Sequence, residues 1–124
     1  MDIERQVEYW RKSALDDLDA ARILAQSKKI NQGLFFAHLA IEKSLKAVVC
    51  RNTRATPPFI HDLSRLAHLS GLGFGERQSN LLARASTFGL RGRYELPVKP
   101  LISEKETEVL LNEVEDLVRW LIQL

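Results

Sequence analysis

Seven residues in the middle of this 124-residue chain carry side chains that grip phosphate. Lys43 and Lys46 stand three apart. Arg51 and Arg54 follow, then Arg84, and Arg91 and Arg93 flank a glycine just before Tyr94. A guanidinium presents a planar fork that pairs bidentately with phosphate, and an ammonium supplies a point charge. Tyr94 offers a ring on which a base can stack. Glu42 precedes Lys46 by four, the spacing of a surface ion pair contributing only tenths of a kcal/mol. The set reads either as a polyanion-binding surface or as a solvated basic face.

His61 follows Pro57-Pro58, where the start of a helix gathers free backbone N–H groups. There it could orient a phosphate or a base, while Asp62 reads simply as a carboxylate in the first turn of the helix. His38 and His68 fit core or surface positions. No pair of histidines four apart accompanies a glutamate, and the single Cys50 excludes a cysteine-rich zinc site and an internal disulfide. Cys50 reads as a small core residue at a helix end. Asp16, Asp17 and Asp19 point mostly outward from a helix. Gly71-Leu-Gly-Phe-Gly lacks the preceding strand and following Lys-Ser/Thr of a phosphate loop, so it reads as a turn with Leu72 and Phe74 in the core. No nucleophile elbow is present. Neither a metal nor a cofactor is expected.

These residues must be held by helices. LFFAHLAIEKSLKAVVC, residues 34–50, is apolar nearly all round, with Leu34, Ala37, Ile41, Leu45 and Val48 on one face. Such a helix belongs at the centre of a bundle. Glu42, Lys43 and Lys46 form its narrow wet strip. A first helix is predicted over 2–27, on the stripe Ile3, Val7, Trp10, Ala14, Leu18, Ala21 and Ala25. The short link to residue 32 makes the first two helices antiparallel neighbours, with Asn31 as N-cap of the central one. A third, shorter helix is predicted over 59–70 and a fourth over 76–90. Residues 91–100, with two prolines, read as an irregular connection. Ser103 and Glu106 form a capping box for the last helix. Leu110, Val114, Leu117, Leu121 and Leu124 repeat at four and three, an apolar face that could also meet a partner. The expected fold class is an all-α, up-and-down bundle of about five helices, four long and one short, in a single domain over 1–124.

Charge is uneven. Residues 1–27 carry four basic and six acidic side chains, residues 28–99 twelve and four, and residues 100–124 two and six. An anionic partner for the middle, or pairing with the acidic flanks, would answer this asymmetry. No run approaches the roughly 18 apolar residues of a membrane span, so no membrane partner is expected. The charged N-terminus is not a secretory signal, which makes the cytoplasm the expected compartment.

Ala37-His-Leu-Ala-Ile-Glu-Lys-Ser-Leu-Lys-Ala resembles the second-helix signature of HEPN domains, a nucleotide-binding family of higher eukaryotes and prokaryotes. His61-Asp62-Leu63 after the Pro-Pro turn resembles the family's His-Asp-Leu. Arg93-Tyr94, a later proline and an acidic-capped last helix resemble its Arg-Tyr-Pro stretch and end. The resemblance implies a homodimer that pairs with a minimal nucleotidyltransferase in a two-component, toxin–antitoxin-like system. Joined to the basic middle, it gives a protein that binds a nucleotide, RNA or that nucleotidyltransferase, with Lys43, Lys46, Arg91 and Arg93 on phosphates or an acidic partner surface, His61 orienting a phosphate or base and Tyr94 stacking. The ribonuclease branch of the family uses an Arg, four to six residues, then a His. Arg54 and His61 supply that string, although across the Pro-Pro loop and not late in the domain. The alternatives are therefore a metal-independent ribonuclease using Arg54 and His61, or a purely structural helical dimer.

Overall fold

The structure is a computed structural model that describes residues 2–94 and 97–124. The described residues form five α-helices and the loops between them: α1 (Ile3–Gln26), α2 (Ile30–Thr53), α3 (Leu63–Ser70), α4 (Glu76–Tyr94) and α5 (Glu104–Ile122). As its near-continuous apolar sequence requires, α2 is the axis and touches all four other helices. Leu34, Ile41 and Leu45 are fully enclosed. Ala14, Leu18 and Ala21 of α1 meet them from one side, and Leu110, Val114, Val118 and Leu121 of α5 from another. Leu63 and Leu66 of α3 and Leu81, Leu82, Ala85 and Phe88 of α4 complete the same core. Gly33 lets α1 lie close, since a Cβ there would stand 2.9 Å from the Ala21 carbonyl oxygen.

The helix ends follow their caps. Asp2 accepts from the Arg5 amide at 3.1 Å to begin α1. Ser103 and Glu106 form the full reciprocal box at the start of α5. Gly71, with φ 75°, ends α3. Leu72 and Phe74 then turn half-buried against the core, with Phe74 edge-on to Trp120.

Several boundaries differ from expectation, each for a local reason. α3 begins at Leu63 because Asp62 caps it, accepting from the Ser64 and Arg65 amides. Residues 59–61 stay outside the helix. α4 continues through Arg91, Gly92 and Arg93 to Tyr94, so these residues are helical and not part of an irregular connection. Gly92 does not break the helix because it is a packing position: a Cβ there would overlap the Phe35 ring. Residues 95 and 96 of the expected connection lie outside the described residues. The leucines of α5 are buried in the chain's own core and do not form a partner-facing stripe.

Asn31 is not the cap of α2, which starts at Ile30 with Lys29 in the cap position, two residues earlier than expected. It lies buried inside the first turn and straps down the chain before α5. Its Nδ2 donates to the Pro97 and Lys99 carbonyls at 2.9 and 2.8 Å, and its Oδ1 accepts from the Leu101 amide at 2.8 Å. Asn31→Asp keeps the shape but turns two donors into a carboxylate facing two carbonyl oxygens. A loss of about 2–3 kcal/mol is expected in urea unfolding, with faster amide exchange at Leu101.

Candidate functional site

Phe35, His38, Glu42 and Lys46 follow one another at three and four along α2 and so share a face. The last turns of α4 lie across that face. The approach is close because Gly89 sits against His38 and Gly92 against Phe35, where any Cβ would overlap the rings. The covered strip is therefore not wet: Glu42 is 3% exposed and Lys46 5%. Trp10 of α1 covers Lys46 from the other side, its ring centre 5.3 Å from the ammonium.

Glu42 is the hub. Its Oε2 accepts from Lys46 Nζ at 3.0 Å, and its Oε1 from Arg93 Nη2 at 3.2 Å. His61, on the loop before α3, places Nδ1 at 3.1 and 3.2 Å from the two carboxylate oxygens. His38 places Nε2 at 3.3 Å from Oε1. Burial pushes the Glu42 carboxyl up, but hydrogen bonds from His38, Lys46 and His61 and the Lys46 charge outweigh it and hold the group down at about 2. Glu42 is thus an anion at any ordinary pH.

An ionised carboxylate only accepts, so His61 must carry its proton on Nδ1 to bond it. Its other nitrogen is left to accept, or to donate once the ring is charged. His38 faces a harder choice. Its Nδ1 lies 3.0 Å from the Ala85 carbonyl oxygen, which fixes a proton there. Its Nε2 lies 3.3 Å from both Glu42 Oε1 and Arg93 Nη1. With that proton in place Nε2 donates to the carboxylate only when the ring is charged; as a neutral ring it accepts from the guanidinium. Arg93 is held besides by the Gly89 carbonyl at 3.2 Å and over the Phe35 ring at 5.3 Å.

The fixed charges do not cancel. Among the described residues one carboxylate faces an ammonium and a guanidinium, leaving one positive charge before either histidine is protonated. The cluster also opens to water on one side, where the His61 side chain is 57% exposed. Two imidazoles on one carboxylate would suit a metal, but Lys46 and Arg93 occupy the same oxygens. Among the described residues no three His, Cys, Asp or Glu side chains are grouped to hold a metal ion.

Of the residues singled out in the sequence, Lys46, His61 and Arg93 converge on Glu42. Lys43 does not join them and pairs with Asp17 of α1 at 2.7 Å. Arg91 and the 81% exposed Tyr94 lie on α4 near Arg93, lining a shallow hollow with Leu90 and Pro97. Arg84 is exposed further up the same helix. Arg54, in a left-handed conformation after α2, pairs with Glu4 at 2.9 Å. Arg54 and His61 therefore serve different carboxylates. Glu42 and His38 are the parts that sequence reasoning missed. Their signal was the unbroken 38–42–46 spacing of polar residues inside a helix otherwise built for burial.

The sequence profile of the HEPN domain matches residues 7–124. Among solved structures, the crystal structure of an archaeal HEPN homologue is similar in fold, with a TM-score of 0.63, 19% identity and 93% of each chain covered. No curated protein sequence matches the chain. No described helix is long and apolar enough to cross a membrane.

Proposed function

The chain belongs to the HEPN domain family, and from that premise we propose that it is a binding module taking the phosphate of a nucleotide or RNA at the Glu42 cluster. One observation carries the reading: among the described residues a buried carboxylate is outnumbered by fixed cations at a site open on one side. A phosphate oxygen arriving there supplies the missing negative charge. His61 and Arg93 are the donors nearest to water, and Arg91 and Tyr94 extend the site along α4. The family further supports a homodimer and a minimal nucleotidyltransferase as partner in a two-component system. The ribonuclease alternative gains no support from geometry in which Arg54 and His61 hold separate carboxylates.

Binding that relies on cations falls with salt. Three neutralised phosphates of a single strand give a log–log slope of about −2. Hydrogen bonds to charged groups contribute about 1.5–3 kcal/mol each. The double variant Arg91→Ala, Arg93→Ala is therefore expected to lower affinity for a single-stranded RNA at least tenfold in fluorescence anisotropy and to flatten that slope. Unchanged affinity would remove the phosphate reading. Intact single-stranded RNA after long incubation with the purified protein would eliminate the ribonuclease.

A further inference from the structure

Between α2 and α3 the chain holds one aromatic ring in water. Phe59 is 93% exposed, while its neighbours turn inward: Pro57 is buried and Ile60 packs half-buried against the core. The Ile60 amide donates to the Pro58 carbonyl at 2.9 Å. That bond closes a three-residue turn with Phe59 at its apex. Pro58 fixes the backbone on entry, and the Asp62 cap fixes it on exit. The ring is thus presented by a braced turn and not by slack chain.

Its surroundings say what it could meet. Arg54, His61, Asp62, Ser64 and Arg65 are all exposed around it in sequence. No other large apolar side chain between residues 51 and 72 is exposed. A hot spot for a protein partner sits in a contiguous apolar patch. A lone ring among polar and cationic groups suits a planar ligand that brings its own negative charge. His61, on the Glu42 cluster, is two residues away, at most about 7 Å along the backbone. That is within the reach of one nucleotide from base to phosphate.

We propose that Phe59 is a base-stacking residue: an unpaired nucleobase lies on its ring while the adjoining phosphate meets His61 and Arg93. This rests on the phosphate reading above and adds the base, which sequence reasoning had given to Tyr94. The base could belong to a free nucleotide or to single-stranded RNA, and the test separates them.

Three probes are titrated at fixed low salt: AMP, an oligoadenylate of about ten nucleotides, and an abasic ribose-phosphate strand of equal length. The variants are Phe59→Leu and Phe59→Trp, both at a side chain without packing duties. Stacking contributes about 1–3 kcal/mol per base. Phe59→Leu should therefore weaken oligoadenylate binding roughly 5- to 150-fold and leave the abasic strand unaffected, while Phe59→Trp retains binding. A matching loss for AMP makes the free nucleotide sufficient, and a loss for the strand alone assigns the site to RNA. Equal oligoadenylate affinity in Phe59→Leu and the parent overturns the stacking while the phosphate reading survives. Equal losses on the intact and abasic strands overturn it too. A parent protein that binds none of the probes overturns both readings.

Discussion

Replacing Glu42 by Gln is expected to unfold the protein far more readily than any surface change, by about 3–5 kcal/mol. The amide keeps the volume but removes the one negative charge that the described residues place against Lys46 and Arg93. Breaking a buried pair from one side leaves an uncompensated charge in a dry place, and that is the costly step. Urea unfolding at neutral pH reads the loss. Adding Lys46→Met should restore part of it, because a buried cation without a partner is then gone. Acid tells the same story from the proton side. The carboxyl titrates near 2 in the folded chain against an ordinary 4.5, so the unfolded chain takes up the proton first as pH falls. The contribution is fully present above about pH 4.5 and is lost as pH falls through about 2. It amounts to roughly 3 kcal/mol at 1.36 kcal/mol per unit. In Glu42→Gln this slope between pH 4.5 and 2 should flatten; an unaltered acid profile would refute the hub.

The second large effect is expected at Gly89. On an open helix face Gly→Ala stabilises by about 0.5–1 kcal/mol, because alanine has less backbone freedom to lose. At Gly89 the added methyl overlaps the His38 ring, and His38 cannot swing away without giving up the Ala85 carbonyl and Glu42. The sign therefore reverses. Gly89→Ala should lose about 3 kcal/mol, at the upper end of ordinary overpacking. It should also displace Arg93 and weaken RNA binding. Removing the ring in the double variant His38→Ala, Gly89→Ala should recover stability relative to the additive sum. A Gly89→Ala protein more stable than its parent would mean that the two helices are further apart than described.

These two residues also mark where reading the sequence stopped. The central position of α2, the stripe of α1 and the capping box at Ser103 are all legible, because each follows from spacing or from one short motif. Spacing alone puts Glu42 and Lys46 in water, because a helix's own periodicity says which face is polar, not which neighbour will cover it. Glu42 is covered by α4 and Lys46 by Trp10 of α1, and the approach of α4 depends on Gly89 and Gly92, which sequence rules treat as weak points in a helix. Asn31 departs from the cap position for a similar reason. Its local preference for a cap was overridden by three bonds to chain nearly 70 residues away. Local signals fixed the elements, whereas the cluster arises from contacts between them.

Trp10 covers Lys46, and Trp120 lies edge-on against Phe74 on another part of the bundle. These are the two tryptophans of the chain, so its native emission has one lamp beside the Glu42 cluster and one away from it. With Trp120 darkened by Phe, the remaining light reports on the ammonium beneath Trp10. Occupancy and protonation of the cluster then become visible without any dye attached to the protein.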